Sequence, residues 1–133
     1  MDAAFYIALS SSRDQNHLIA RQFAGSFTGR VITTEDVLTE VANFLSHPVH
    51  REKTVKLLEE LRADPKTEVI SSSHELWDRG LDLYARRPDK GWSLTDCISF
   101  AVMTERGLTE ALTADRGAIE ERYSVIESLL SSR

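Results

Sequence analysis

Four carboxylates in this 133-residue chain stand where acids are costly or conspicuous: Asp2, Glu40, Asp96 and Asp115. Asp96 is the most unusual. It shares a helical face with Phe100 and Met103, inside a stretch that is apolar nearly all round (Cys97, Ile98, Phe100, Ala101, Val102, Met103). An unpaired carboxylate in such a place is expensive, so a cation, a metal or strong hydrogen-bond donors should lie beside it. Glu40 falls beside Val37 and Phe44, at the margin of another apolar stripe. Asp115 follows a β-prone run by two residues, and Asp2 immediately precedes an apolar segment. Brought together, oxygen donors of this kind suit Mg²⁺ or Mn²⁺, which are hard cations. Such an ion orients a phosphate, acidifies a bound water and offsets the charge that develops during in-line attack.

Each acid also has a plainer reading. Ser93-x-x-Asp96 is a capping box, in which the acid serves the helix start. Asp115 reads as a turn residue, Asp2 as a terminal acid and Glu40 as a helix-surface carboxylate. Glu35 and Asp36 fit a helix first turn, where they complement the dipole and face water. Taken singly, each acid is ordinary; the pattern of four carries the metal reading.

The elements that must position these acids alternate in type. Residues 3–10 are helix-compatible, and 14–24 place Leu18, Ile19 and Phe23 at helical spacing. Residues 31–34 form a β-branched run. Val37, Leu38, Val41, Phe44 and Leu45 mark a helix that ends before Pro48; Val55, Leu57, Leu58 and Leu61 mark the next, stopping near Asp64-Pro65. Glu68-Val69-Ile70 predicts a second strand, and Ser72-x-x-Glu75 a capping box opening a helix to about Arg86. Residues 93–106 predict a central helix ended by Gly107, 109–113 a strand and 124–126 an edge strand. Short strands alternating with helices give an α/β fold with a mainly parallel sheet, whose ligands bind at the carboxyl ends of the strands. Asp2 and Asp115 would emerge on that rim, with Glu40 and Asp96 converging from helix starts.

Composition narrows the class. The chain carries 16 basic and 21 acidic residues, a net charge of −5, with 41% hydrophobic and 28% charged residues, as in soluble globular proteins. No linker or repeat divides it, so residues 1–133 read as one domain. The acidic excess argues against a basic coat for nucleic acid, although the four acids account for most of it. The one cysteine, Cys97, allows no intrachain disulfide and reads as a buried, inert thiol. His47-Pro48-Val49-His50 is a poor zinc pair, because proline breaks the helical spacing and no cysteine completes a site. No G-x-G-x-x-G or phosphate loop occurs. Without a basic-apolar leader or a stretch of about 18 apolar residues, the expected address is cytoplasmic, with no membrane partner. Arg86, Arg87 and Lys90 form a basic loop ahead of the Asp96 helix; with Arg13 and Arg116 they are candidates for phosphate contact, against a plainer role at helix ends. Trp77 and Trp92 read as packing residues, and an exposed Trp92 would be able to stack on a base.

In order along the chain, these segments resemble the PIN-domain nucleases, and most closely the VapC-type toxins of type II toxin–antitoxin systems. Asp2-Ala3-Ala4-Phe5-Tyr6-Ile7-Ala8-Leu9 is similar to the family's opening acid with its apolar run, and Asp14-Gln15-Asn16-His17 to the helix start that follows. Thr33 to Val41 resembles the second acidic motif, with Glu40 in the ligand position. Trp92-Ser93-Leu94-Thr95-Asp96-Cys97 resembles the third, and Glu110 to Arg116 the last. The resemblance implies a three-layer α/β/α sandwich and a metal-dependent endoribonuclease acting through metal-activated water. Asp2, Glu40, Asp96 and Asp115 would hold Mg²⁺ or Mn²⁺, with Thr113 in support. It further implies an RNA substrate, a small antitoxin that blocks the site, and a homodimer. Three features depart from the family pattern. Only Met1 stands before Asp2, where the family carries a short strand; Ala3 and Ala4 replace a hydroxyl residue; Gly117-Ala118-Ile119 lacks an aromatic. They keep open a second reading, a weakened PIN scaffold that binds antitoxin or RNA without cutting. A metal-dependent phosphatase or DNA nuclease would use similar carboxylates.

Overall fold

The architecture was taken from a computed structural model, which describes residues 3–10, 17–18, 21–22 and 30–106. Its first element is helix α1 (Ala3–Ser10), and the backbone at 17–18 and 21–22 is also helical. Strand β1 (Val31–Thr34) then runs without a loop into helix α2 (Glu35–Phe44). Thr34 makes that junction possible: its backbone is still extended, at φ −124° and ψ 157°, while its hydroxyl accepts the Val37 N–H at 3.0 Å. One threonine therefore ends the strand and caps the helix.

Helix α3 (Pro48–Ala63) opens with Pro48, whose missing N–H costs nothing at a helix start. His47 caps it, Nδ1 accepting from the Val49 N–H at 3.2 Å. The turn out of α3 is built by Asp64, which accepts from the Lys66 N–H at 3.0 Å and the Thr67 hydroxyl at 2.8 Å; these bonds hold its carboxyl below the usual range. Strand β2 (Thr67–Ile70) follows and pairs with β1 in parallel, Val31 opposite Thr67 and Thr34 opposite Ile70. Helices α4 (His74–Arg86) and α5 (Leu94–Arg106) complete the described chain.

The period of two along β2 sorts the helices into layers. Val69 points into a core made by Ala3, Phe5 and Tyr6 of α1 with Val37, Leu38, Val41 and Leu45 of the α2 region, joined by Leu57, Leu58 and Leu61 of α3. Ile70, one residue on, and Ile32 of β1 point the opposite way, into a core of Leu76, Ile98 and Val102 from α4 and α5. The result is the expected three-layer α/β/α sandwich with a parallel sheet. The predicted strands at 109–113 and 124–126, and the Gly107 helix stop, lie outside the described residues.

Two local expectations change. The cap of α4 is Ser73, whose Oγ accepts from Leu76 N–H at 3.1 Å; Ser72 instead donates its backbone N–H to Glu35 Oε1 at 2.7 Å. Glu75 therefore sits in the first turn and pairs with Arg79 at 3.0 Å, rather than closing a capping box on Ser72. The stripe on α2 is also narrower than expected. Leu45 turns inward while Phe44 is 70% exposed.

Within their shared layer α4 and α5 approach closely. At Gly80 an added Cβ would stand 3.0 Å from the Ile98 backbone N and 3.1 Å from its Cα. Only a glycine lets the two helices approach so far. Outside this contact, α4 exposes Trp77 at 45%, so this tryptophan is not the packing residue expected from sequence.

Candidate functional site

Glu40 lies in the second turn of α2 and is half-buried, beside Val37 and Phe44 at helical spacing. Its helix starts where β1 ends, so it belongs to the carboxyl edge of the parallel sheet. At the same edge Glu35 reaches across to the Ser72 N–H and ties the end of β2 to the start of α2. Sequence reading gave Glu35 to the helix dipole and to water; a contact between residues 37 apart leaves no local signal.

Asp96 lies in the first turn of α5, the helix that packs against both α4 and α2. The strong donor its surroundings demand is the backbone of Ser93: Asp96 Oδ2 accepts the Ser93 N–H at 3.1 Å, and Ser93 Oγ accepts the Asp96 N–H at 3.0 Å. This reciprocal capping box is the plainer reading, and it is present. It also fixes one carboxylate oxygen and leaves the side chain half-buried rather than enclosed. The neighbouring Cys97 is buried, and its thiol is pushed up to about 11, first by desolvation and then by the Asp96 charge. A protonated, buried thiol is a poor nucleophile and must lose its proton before it can ligate a metal. Donor chemistry around Asp96 is therefore carboxylate chemistry, which fits a hard divalent cation in kind.

Glu40 and Asp96 thus stand on two helices that pack together. Asp2, Asp115, Thr113, Arg13 and Arg116 lie outside the described residues. Among the described residues no three His, Cys, Asp or Glu side chains gather into a metal-binding group.

The basic loop is well organised. Arg86 pairs with Asp82 at 3.0 Å, one helical turn away. Arg87 forks onto Asp89, with both N···O distances 3.1 Å, and holds that carboxyl below its usual range. Arg87 and Lys90 both lie over the Trp92 ring, at 5.5 Å and 5.8 Å from its centroid. Trp92 itself is 8% exposed and meets Phe100 edge to face at 5.1 Å, so it packs and is not offered to a base.

An α/β/α sandwich with acids at the carboxyl edge of a parallel sheet is the class these elements define. The chain matches the PIN domain family over residues 1–123 and belongs to it. It is 26% identical, over 116 residues, to the 23S rRNA-specific endonuclease VapC20 of Mycobacterium tuberculosis, from both strain CDC 1551 and strain H37Rv; the match covers 86% of this chain and 87% of the relative. A crystal structure of M. tuberculosis VapC20, described as a sarcin–ricin loop cleaving toxin, shares the fold, with a TM-score of 0.78 and 24% identity over 86% of this chain and 87% of that one. No described helix is long and apolar enough to cross a membrane.

Proposed function

We propose that this chain is a Mg²⁺- or Mn²⁺-dependent endoribonuclease, the toxin of a type II toxin–antitoxin pair. The observation that carries the reading is the family match itself, which runs from residue 1 to 123 and takes in all four acids. The named activity of the relatives points to a structured RNA loop as substrate. In this proposal Asp2, Glu40, Asp96 and Asp115 hold the cation, Thr113 supports them, and residues 1–133 act as one domain. A small antitoxin would cover the site, and two copies would associate.

When bound, a divalent cation would supply an acidified water and neutralise charge on the scissile phosphate. The chain's part is positioning. Ser93 holds Asp96 through its N–H, the Glu35–Ser72 bond steadies the sheet edge beside α2, and the packing of α2 on α5 fixes the two helices that bear Glu40 and Asp96. Arg13, Arg86, Arg87, Lys90 and Arg116 are the residues proposed to meet RNA phosphates.

Asp96→Asn is the decisive variant, because its amide oxygen can still accept the Ser93 N–H while the charge is gone. Cleavage of an RNA carrying a sarcin–ricin loop should need Mg²⁺ or Mn²⁺ and fall by more than about 100-fold in the variant, beyond the loss of an outer-shell partner. Undiminished cleavage by Asp96→Asn would sink the mechanism. RNA binding with no cleavage at any Mn²⁺ concentration would favour the non-cutting scaffold, a reading motivated by Ala3 and Ala4 beside the first acid.

A further inference from the structure

The segment between α4 and α5 is short, and its side chains form a connected series that ends on Asp96. Arg87 is the first member. Its guanidinium is fixed in plane by the fork onto Asp89, and the Lys90 N–H closes the turn onto the Arg87 carbonyl at 3.1 Å. Trp92 is the second. Arg87 and Lys90 lie over its ring, and the ring is set edge-on against Phe100, one turn beyond Asp96 on α5. Ser93, the next residue, makes both capping bonds with Asp96 and accepts the Cys97 N–H at its carbonyl, at 3.1 Å. Trp92 is buried and Ser93 is covalently joined to it, so the seat of the indole determines where the Ser93 amide points. That amide in turn holds Asp96 Oδ2.

We infer that Arg87 is a positioning residue: forked onto Asp89 and lying over Trp92, it sets the Ser93 amide and through it the Asp96 carboxylate. The inference rests on the metal-dependent reading above, and it moves Arg87 from substrate contact to support of a ligand. A planar guanidinium suits that task, since one plane can lie on an indole while its edge grips a carboxylate; an ammonium can do only the first.

The two roles for Arg87 predict opposite signs for one substitution. Removing the Asp89 charge with Asp89→Asn loosens the fork. If Arg87 supports Asp96, Mn²⁺ binding weakens; if Arg87 grips phosphate, RNA binding improves because a competing carboxylate is gone. The experiment is a calorimetric Mn²⁺ titration of the full chain without RNA, with parallel measurement of KM for RNA at saturating Mn²⁺. Arg87→Ala and Asp89→Asn should weaken Mn²⁺ binding about 3- to 10-fold, less than the 10- to 100-fold typical of partners that touch a ligand directly. KM should stay within about twofold. Arg87→Lys should fall between wild type and Arg87→Ala. All these side chains are at least partly exposed, so melting temperatures should barely move. Unchanged Mn²⁺ affinity in both variants, or a lowered KM in Asp89→Asn, overturns the inference and leaves the metal-dependent reading standing. A wild-type chain that neither binds Mn²⁺ nor cuts RNA removes both.

Discussion

Gly80→Ala sets two physical effects against each other at one atom. In a helix interior alanine is favoured over glycine by about 1 kcal/mol, so on α4 alone the substitution should stabilise. The added methyl, however, would meet the α5 backbone at 3.0 Å and 3.1 Å, besides Ile98 Cγ1. A side chain can rotate away, but a main-chain N and Cα move only if α5 moves. Overpacking costs about 1–3 kcal/mol, and a backbone obstacle belongs at the upper end of that range. Subtracting the propensity gain leaves a net loss of about 1–2 kcal/mol, or a melting temperature lower by about 4–8 °C for a domain of this size. Gly91→Ala is the internal control. Nothing lies within 4 Å of its would-be Cβ, so it should be neutral or stabilise by about 0.5 kcal/mol through the unfolded chain. Thermal melts by circular dichroism, with urea titrations for the free energies, decide the matter. A Gly80→Ala protein that melts above wild type would refute the close approach of α4 and α5. Full rescue by Ile98→Ala would show that the side chain, and not the backbone, sets the limit.

Two further outcomes follow from contacts in the structure. Arg106 grips Glu68 with two 2.9 Å bonds and lowers its pKa, so the pair contributes stability above the ordinary glutamate pKa, near 4.5, and loses it as pH falls through the depressed value. Arg106→Gln should therefore destabilise at neutral pH and progressively less as pH falls through the depressed value, and urea melts at low salt whose loss does not shrink with acidification would contradict this. Cys97, buried with its thiol near 11, should resist a thiol-specific disulfide reagent at pH about 8 until the protein is unfolded. Rapid stoichiometric labelling of the native chain would show that α5 is not packed as described.

Periodicity made the helices and both described strands legible, because each buries one face against one neighbour. The faces of α2 and α5, and the capping box at Ser93, are local signals spread over a turn or two. What the sequence hid is long in range. Glu35 with Ser72 and Glu68 with Arg106 join residues 37 and 38 apart, and nothing within a window of one helix announces either pair. Gly80 is hidden for another reason: a glycine inside a helical pattern reads as a weakness until the facing backbone is seen. The two tryptophans divide: both read as packing residues, and Trp92 is buried beneath two cations while Trp77 is 45% exposed, since composition gives the wish to be buried but not the partner that grants it.

Asp96 shows why the plain and the chemical readings of a residue need not compete. As a cap it explains its own position: a helix N-terminus presents unpaired N–H groups and a positive dipole end, worth about 0.3–1 kcal/mol to a nearby carboxylate. The same donors lower the cost of an ionised group at the head of an apolar helix, which is the condition a carboxylate must meet before it can bind a cation. The box also restricts rotation, because an oxygen bound to the Ser93 N–H cannot swing freely. A surface carboxylate without such a bond would lose side-chain entropy on binding a metal; Asp96 has lost most of it already, at the stage of folding. Ser93→Ala separates the two contributions. It removes the hydroxyl that caps the Asp96 N–H but keeps the Ser93 N–H that holds the carboxylate, so stability should fall by about 1 kcal/mol while Mn²⁺ affinity changes little. If affinity falls as steeply as stability, the backbone bond alone does not orient Asp96, and the hydroxyl must be counted as part of the site.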